Sequence, residues 1–290
     1  MTPRQDPQTI RPAAVAGSFY PGDPDRLRAA VERLLAEAGT SGPTPPKALI
    51  APHAGYGYSG AVAAAAFARL RGCGRAVRRV VLIGPAHSVP LRGLAFPTAT
   101  AFETPLGRVP VAEGAAATLA DFAFVGRLDA PHGPEHALEV ELPFLQSVLP
   151  SFELVPLLVG DAAPNEVAAV LDRLWGGRET LIVVSSDLSH FHGYEAAGRR
   201  DAATAAAIER GDWARLGPGD ACGFLAVAGL LVVADRRGLE AERLSLCNSG
   251  DTAGSRDRVV GYGAWAFADA PGPPGAAGAD VPIERSPGEA

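Results

Sequence analysis

The sequence predicts an α/β protein, a three-layer α/β/α arrangement with a mostly parallel central sheet covered by helices on both faces. Three observations carry that prediction. The strand-like runs are continuously apolar rather than alternating, the pattern of strands buried on both faces. Ala-rich runs with a helical period separate them, and alternation of strand and helix builds a parallel sheet. Between residues 10 and 268 no repeat and no Pro/Gly-rich linker divides the chain, so its 290 residues are expected to form one α/β domain.

The elements follow in order. Residues 1–9 are polar with two prolines and are expected to be a flexible N-terminal segment. Asp25 to Ala38 carries Leu27, Val31, Leu34 and Leu35 at helical spacing, with Asp23 or Asp25 available as the cap and Pro24 at the first turn. Ala48 to Ala51, Val80 to Ile83, Leu154 to Val159, Leu181 to Val184 and Val259 to Phe267 read as strands. Ala61 to Leu70, Leu138 to Leu149, Glu166 to Trp175, Tyr194 to Arg210 and Gly223 to Asp235 read as helices. Residues 269–290 are rich in Pro and Gly and are expected to be a disordered tail.

Composition excludes several classes. The net charge of −6 leaves no basic stripe for nucleic acid. Of two uncharged runs, Ala48 to Ala68 is interrupted by Pro52, His53 and three glycines, and Ala221 to Ala234 is shorter than the ~20 residues a membrane span needs. The N-terminus has no apolar core that could serve as a secretory signal. Cys73, Cys222 and Cys247 are odd in number and without paired spacing, which suits a reducing compartment. A cytoplasmic, membrane-free protein is expected.

The chemistry gathers at strand ends. One strand runs into His53, a second into His87, and a third into Asp187 and His190, with His192 two residues on. In open α/β sheets the loops at the carboxyl ends of strands build the ligand crevice. Neutral imidazole is a common metal ligand, and three with an oxygen donor suit Zn²⁺, Fe²⁺ or Cu²⁺ while leaving a position open. Asp187 is either a partner of His190, if the two open a helix, or simply that helix's cap. His132 and His136 sit in a loop leading into a helix, and His192 is expected to face solvent. Gly55-x-Gly57-x-x-Gly60 spells a dinucleotide fingerprint, but Tyr56 and Tyr58 obstruct a close backbone approach and no acidic residue follows at the right distance. Cys222, in an apolar helix, reads as a small core residue, and Cys247 to Gly254 as a polar loop.

Seven stretches together carry a family resemblance: Arg11-Pro-Ala-Ala-Val-Ala-Gly-Ser-Phe-Tyr-Pro, Ala51-Pro-His-Ala-Gly-Tyr-x-Tyr-Ser-Gly, Gly84-Pro-x-His-Ser, Glu135-His-x-Leu-Glu-Val-x-Leu-Pro-Phe-Leu, Ser185-Ser-Asp-Leu-Ser-His-Phe, Asp220-Ala-Cys-Gly and Ser249-Gly-Asp-Thr-x-Gly running to Val260-Gly-Tyr. The chain thereby resembles the Memo family, whose prokaryotic members are called AmmeMemoRadiSam system protein B. The resemblance implies a fold similar to LigB-like class III extradiol dioxygenases. It implies metal ligands at His53 and His87, joined in the expected set by His190, with His190 and Asp187 as catalytic residues. Phe19, Tyr20, Tyr56, His136, Asp251 and Thr252 are expected around the same pocket. At Thr252 the animal proteins carry a cysteine ligand, so Asp251 is expected to compensate only if its loop turns inward. The implied metal is Fe(II) first, with Zn or Cu as alternatives.

Two functions follow from the resemblance. One is a metal-dependent, dioxygenase-like oxidoreductase acting on a small molecule, linked to an AMMECR-type protein and a radical SAM enzyme. The other is a non-catalytic module that holds a peptide or partner protein in a dioxygenase-like shell. Loss of His190 should disable the enzyme, whereas loss of the pocket aromatics should disable the binder.

Overall fold

The computed structural model describes residues 9–39, 45–72 and 76–269; of the segments expected to be flexible, 1–9 and 269–290, all but Thr9 and Asp269 lie outside these, as does Cys73. The chain enters through β1 (Ile10–Arg11) and a turn-rich stretch to Tyr20. Helix α1 (Pro24–Glu37) follows, with the Asp23 carboxylate accepting the Arg26 N–H at 2.9 Å and Leu27, Val31, Leu34 and Leu35 buried, as their spacing predicts. Next come β2 (Ala48–Ala51), α2 (Tyr56–Ala68) and β3 (Arg79–Pro85). Helix α2 begins at Tyr56, five residues earlier than expected, so Gly57 and Gly60 are helical and form no phosphate loop. A Cβ on Gly60 would lie 2.9 Å from Leu34 Cδ1, and its absence lets α1 and α2 approach.

The middle of the chain is less regular. Short strands β4 (Leu94–Phe96), β5 (Ala101–Thr104) and β6 (Gly107–Pro110) precede α3 (Ala115–Leu119) and β7 (Val125–Arg127). The single helix expected over Leu138 to Leu149 is a 3-10 turn, Glu139–Glu141, followed by α4 (Leu142–Val148). Pro143 accounts for the break, because it offers no N–H to the fourth residue back and its ring crowds that carbonyl. The chain continues through β8 (Glu153–Val159), α5 (Pro164–Leu174), β9 (Thr180–Ser185), β10 (His190–His192), α6 (Tyr194–Glu209), α7 (Phe224–Arg237), β11 (Leu239–Asn248) and β12 (Val259–Asp269).

The large sheet has the order β10-β12-β2-β9-β3-β8-β4-β7, with β11 also on β12. Its centre, β2-β9-β3-β8, is parallel. On the flanks β12 runs antiparallel to β2, β10 and β11 run antiparallel to β12, and β4 runs antiparallel to β8. The sheet is therefore mixed, and the expected parallel character holds for its four central strands. The flank arises because β11 and β12 are joined by a short connection, which only antiparallel strands permit. A smaller sheet, β1-β5-β6, stands apart.

The central strands are buried almost throughout, so both faces of the sheet are covered. Helices α1, α2 and α4 pack on one another in this covering, and α5 packs on α7, which lies over β3 and β9. Near the chain's entry, the Arg11 guanidinium is buried against the Glu139 carboxylate, which also accepts the Tyr20 hydroxyl and the N–H groups of Ala14 and Val15. This clamp fixes residues 10–20 beside the loop that carries His132 to Glu139. Among the described residues no helix is long and apolar enough to cross a membrane.

Candidate metal centre

Three adjacent parallel strands set the site. Ala51 of β2 lies in register with Ser185 of β9, and β3 runs along the other side of β9. Each strand leaves the sheet at the same edge, so His53, His87 and Asp187 emerge side by side. The loop between β7 and the 3-10 turn adds Glu135 and His136. One ring nitrogen from each of His53, His87 and His136 falls within 4.8 Å of the others. The ring centroids of His87 and His136 are 4.9 Å apart and nearly parallel, while His53 meets both edge-on at 5.2 and 5.3 Å.

Hydrogen bonds aim these rings. His53 Nδ1 lies 2.7 Å from Ser185 Oγ. His87 Nδ1 lies 2.9 Å from Glu135 Oε1, and the His87 backbone N–H donates to Oε2 at 2.6 Å. Burial alone would disfavour the Glu135 carboxylate, but the bond from His87 and backbone N–H groups outweigh it and hold the group at about 2. Glu135 is thus ionised, and His87 donates to it from Nδ1, which leaves Nε2 facing away from the carboxylate. The carboxylate–imidazole pairing is the one that commonly orients a metal-bound histidine. His136 has its Nδ1 3.3 Å from the same carboxylate oxygen. Burial holds the imidazoles of His53 and His136 below the ordinary histidine value, reinforced by neighbouring histidines, so their lone pairs are unprotonated. A group of imidazoles backed by one carboxylate fits a divalent cation and fits an anion poorly.

The other expected residues are placed as follows. His190 lies outside the group of three, on β10 instead of a helix, with Nδ1 donating to the Leu188 carbonyl at 2.8 Å. It is close enough to lower the basicity of His53. The helix imagined to join Asp187 with His190 is absent, and α6 begins only at Tyr194. Asp187 is buried, its Oδ1 accepts the His53 N–H at 2.9 Å, and burial pushes its carboxyl up to about 7. The Phe19 ring stacks obliquely on His136 at 4.8 Å. Tyr20 and Tyr56 are buried, their hydroxyls committed to Glu139 and to the Val140 carbonyl, so they support the site from behind. Asp251 accepts from the Tyr194 hydroxyl and from the Asn248 N–H, while the exposed Thr252 donates its hydroxyl to the Ser249 carbonyl. Thr252 is tied into its own loop, and Asp251 into that loop and the start of α6.

Sequence reasoning assigned no role to three residues that touch this centre. Glu135 orients His87, and its position directly before His136 is the signal that could have found it. Ser185 is the last residue of β9, level with the end of β2. Cys222, read as core, sits just before α7 with Sγ 3.4 Å from His53 Nε2 and accepts the Asp187 N–H at 3.2 Å. Burial pushes its thiol up to about 12, so it is a neutral neighbour of the histidines.

Known proteins share this sequence at length. The family model described as Memo-like protein matches residues 11–266. A MEMO1 family protein of Thermotoga neapolitana is 36% identical over 279 residues, covering 87% of this chain and 98% of that protein. Those of Methanopyrus kandleri, 34% identical over 285 residues, and Thermoplasma volcanium, 31% over 272, are covered to 98% and 96% of their own lengths and span 89% and 87% of this chain.

Proposed function

Because the chain belongs to the Memo-like family, we propose that it is a metal-dependent, dioxygenase-like oxidoreductase whose divalent ion is held by His53, His87 and His136. The observation that carries this reading is the convergence of three imidazoles at one strand edge, one of them aimed by Glu135. In this reading His136 takes the ligand position that the sequence pattern gave to His190. An Fe(II) ion there would supply a Lewis-acid, redox-active centre with positions left for substrate and O₂; Zn or Cu would fit the same nitrogens. His190, with its Nδ1–H committed to Leu188, offers Nε2 as a base, and the buried Asp187 carboxyl is a second group able to hold a proton. By the same resemblance the protein works in the cytoplasm beside an AMMECR-type protein and a radical SAM enzyme, on a small molecule.

A second reading, a peptide- or partner-binding shell without turnover, is favoured by the exposed aromatics: Phe191, next to His190, is 61% exposed, and Tyr58 is 44% exposed. Titration with a chromophoric chelator, together with elemental analysis of anaerobically purified protein, tests the metal reading. Wild type should bind one divalent ion per chain. His136→Ala should weaken it by more than the roughly 10–100-fold typical of losing an outer partner, and His190→Ala should change it only a few-fold. A large loss in His190→Ala with none in His136→Ala would restore His190 as the third ligand. Stoichiometry near zero in the wild type would remove the metal altogether and leave the binding module.

A further inference from the structure

Behind His53 stands a buried acid that the proposed reaction does not use. Glu141 closes the 3-10 turn before α4, and its side chain is completely shielded from solvent. Its Oε1 lies 2.9 Å from Ser185 Oγ, and its Oε2 has no hydrogen-bond partner among the described residues. The same Ser185 hydroxyl is 2.6 Å from the Ala137 carbonyl oxygen and 2.7 Å from His53 Nδ1.

A proton count decides how these three contacts coexist. A serine hydroxyl has one hydrogen to give and two lone pairs to receive. The Ala137 carbonyl can only accept, and at 2.6 Å two oxygens without a proton between them would repel, so Ser185 spends its hydrogen there. The Ser185 oxygen must then accept from both other neighbours. His53 can supply one such proton from Nδ1. The Glu141 contact needs one as well, and only a protonated carboxyl has it. An ionised Glu141 would instead be a fully buried charge with no cation against it, facing the Asp187 carboxyl and the Tyr56 hydroxyl. Burial pushes the Glu141 carboxyl well above the usual carboxylate range, in the same direction as the count.

We propose that Glu141 is a positioning residue for the metal centre: as a neutral carboxylic acid it donates to Ser185 Oγ, which in turn accepts from His53 Nδ1 and so holds His53 with its Nε2 lone pair toward His87 and His136. The consequence for binding rests on the metal reading above; the protonation and tautomer stand without it.

The experiment therefore has two arms. On metal-free protein, the infrared carbonyl stretch of a protonated carboxyl should appear as a negative band in the E141Q minus wild-type difference at neutral pH. Long-range nitrogen–proton NMR should show His53 as the Nδ1–H tautomer in wild type and in E141Q, whose amide can still donate to Ser185. E141L, which cannot, should populate the other tautomer. With zinc as probe, E141Q should stay within about threefold of wild type, and E141L should lose about 10–100-fold. A missing carboxyl band in the difference spectrum overturns the proposal, as does E141Q behaving like E141L in the tautomer measurement. If the wild type binds no zinc while the band and tautomer are as described, the metal reading fails and the Glu141 assignment stands. Should E141L not fold, the wild-type and E141Q spectra still decide.

Discussion

His132 illustrates what one side chain contributes apart from the metal centre. Its Nε2 donates to the Ala95 carbonyl at 3.1 Å, its Nδ1 has no partner among the described residues, and it is almost fully buried. Burial lowers its pKa to about 4, the Arg11 guanidinium helps, and the Ala95 bond, Asp129 and Glu135 oppose. The unfolded chain takes up a proton on this residue near pH 6.5, and the folded chain does so only near 4. Between those values the unfolded state binds more protons, so stability falls as pH falls through that window. At roughly 1.36 kcal/mol per unit, the loss approaches about 3 kcal/mol. Urea unfolding of wild type and His132→Gln from pH 7 to 4 checks this: the wild-type curve should drop more steeply, and parallel curves would refute it. The same residue shows what a sequence can reveal at this scale. His53 and His87 stand out because each ends an apolar strand. His132 and His136 share one loop, and nothing in their spacing says that one is a core donor and the other a member of the site. That distinction comes from Arg11, more than a hundred residues away, which binds the His132 and Glu135 carbonyls and fixes the loop's path.

At the scale of elements, contacts between helices rest on residues that leave room. Gly229 of α7 faces α5, and a Cβ there would sit 2.4 Å from Val167 Cγ1 and 2.6 Å from Val167 Cβ. Alanine would favour the helix by about 1 kcal/mol over glycine. The β-branched Val167 cannot swing away, however, and overpacking costs about 1–3 kcal/mol. Gly229→Ala should therefore be neutral to destabilising by about 2 kcal/mol, and adding Val167→Ala should recover part of the loss; a clear rise in melting temperature for the single variant would contradict this. Elements with a continuous apolar run or a strong helical stripe, such as β3, β9 and α1, are legible in the sequence. Strand β11 is not, because Glu240, Glu242 and Arg243 break any apolar pattern and only its pairing with β12 makes it a strand. Strand β10 is hidden for another reason: Phe191 takes a left-handed φ of +64°, unusual for a bulky residue, while the flanking His190 and His192 pair with β12.

For the whole molecule, the order of strands decides whether the chain can be divided. Sequence length alone permits two domains, and the absence of a linker argues for one. In the central sheet β9 lies between β2 and β3, and β3 lies between β9 and β8. Strands from the first hundred residues thus alternate with strands from beyond residue 150, and neither half owns two adjacent strands of the central four. The final strand β12 returns to pair with β2 through Trp265, Ala266 and Phe267. Buried apolar residues from Tyr20 to Phe267 belong to one continuous cluster. Separating the halves would expose both faces and both edges of β3 and β9, so neither fragment could retain a core. A protease nick anywhere between residues 100 and 200 should therefore leave two pieces that co-migrate under native conditions and unfold in a single transition. They should come apart only in denaturant. Gel filtration of briefly digested protein, with calorimetry of the nicked material, checks it. Two fragments that separate and each melt cooperatively would mean that residues 10–268 form two domains rather than one.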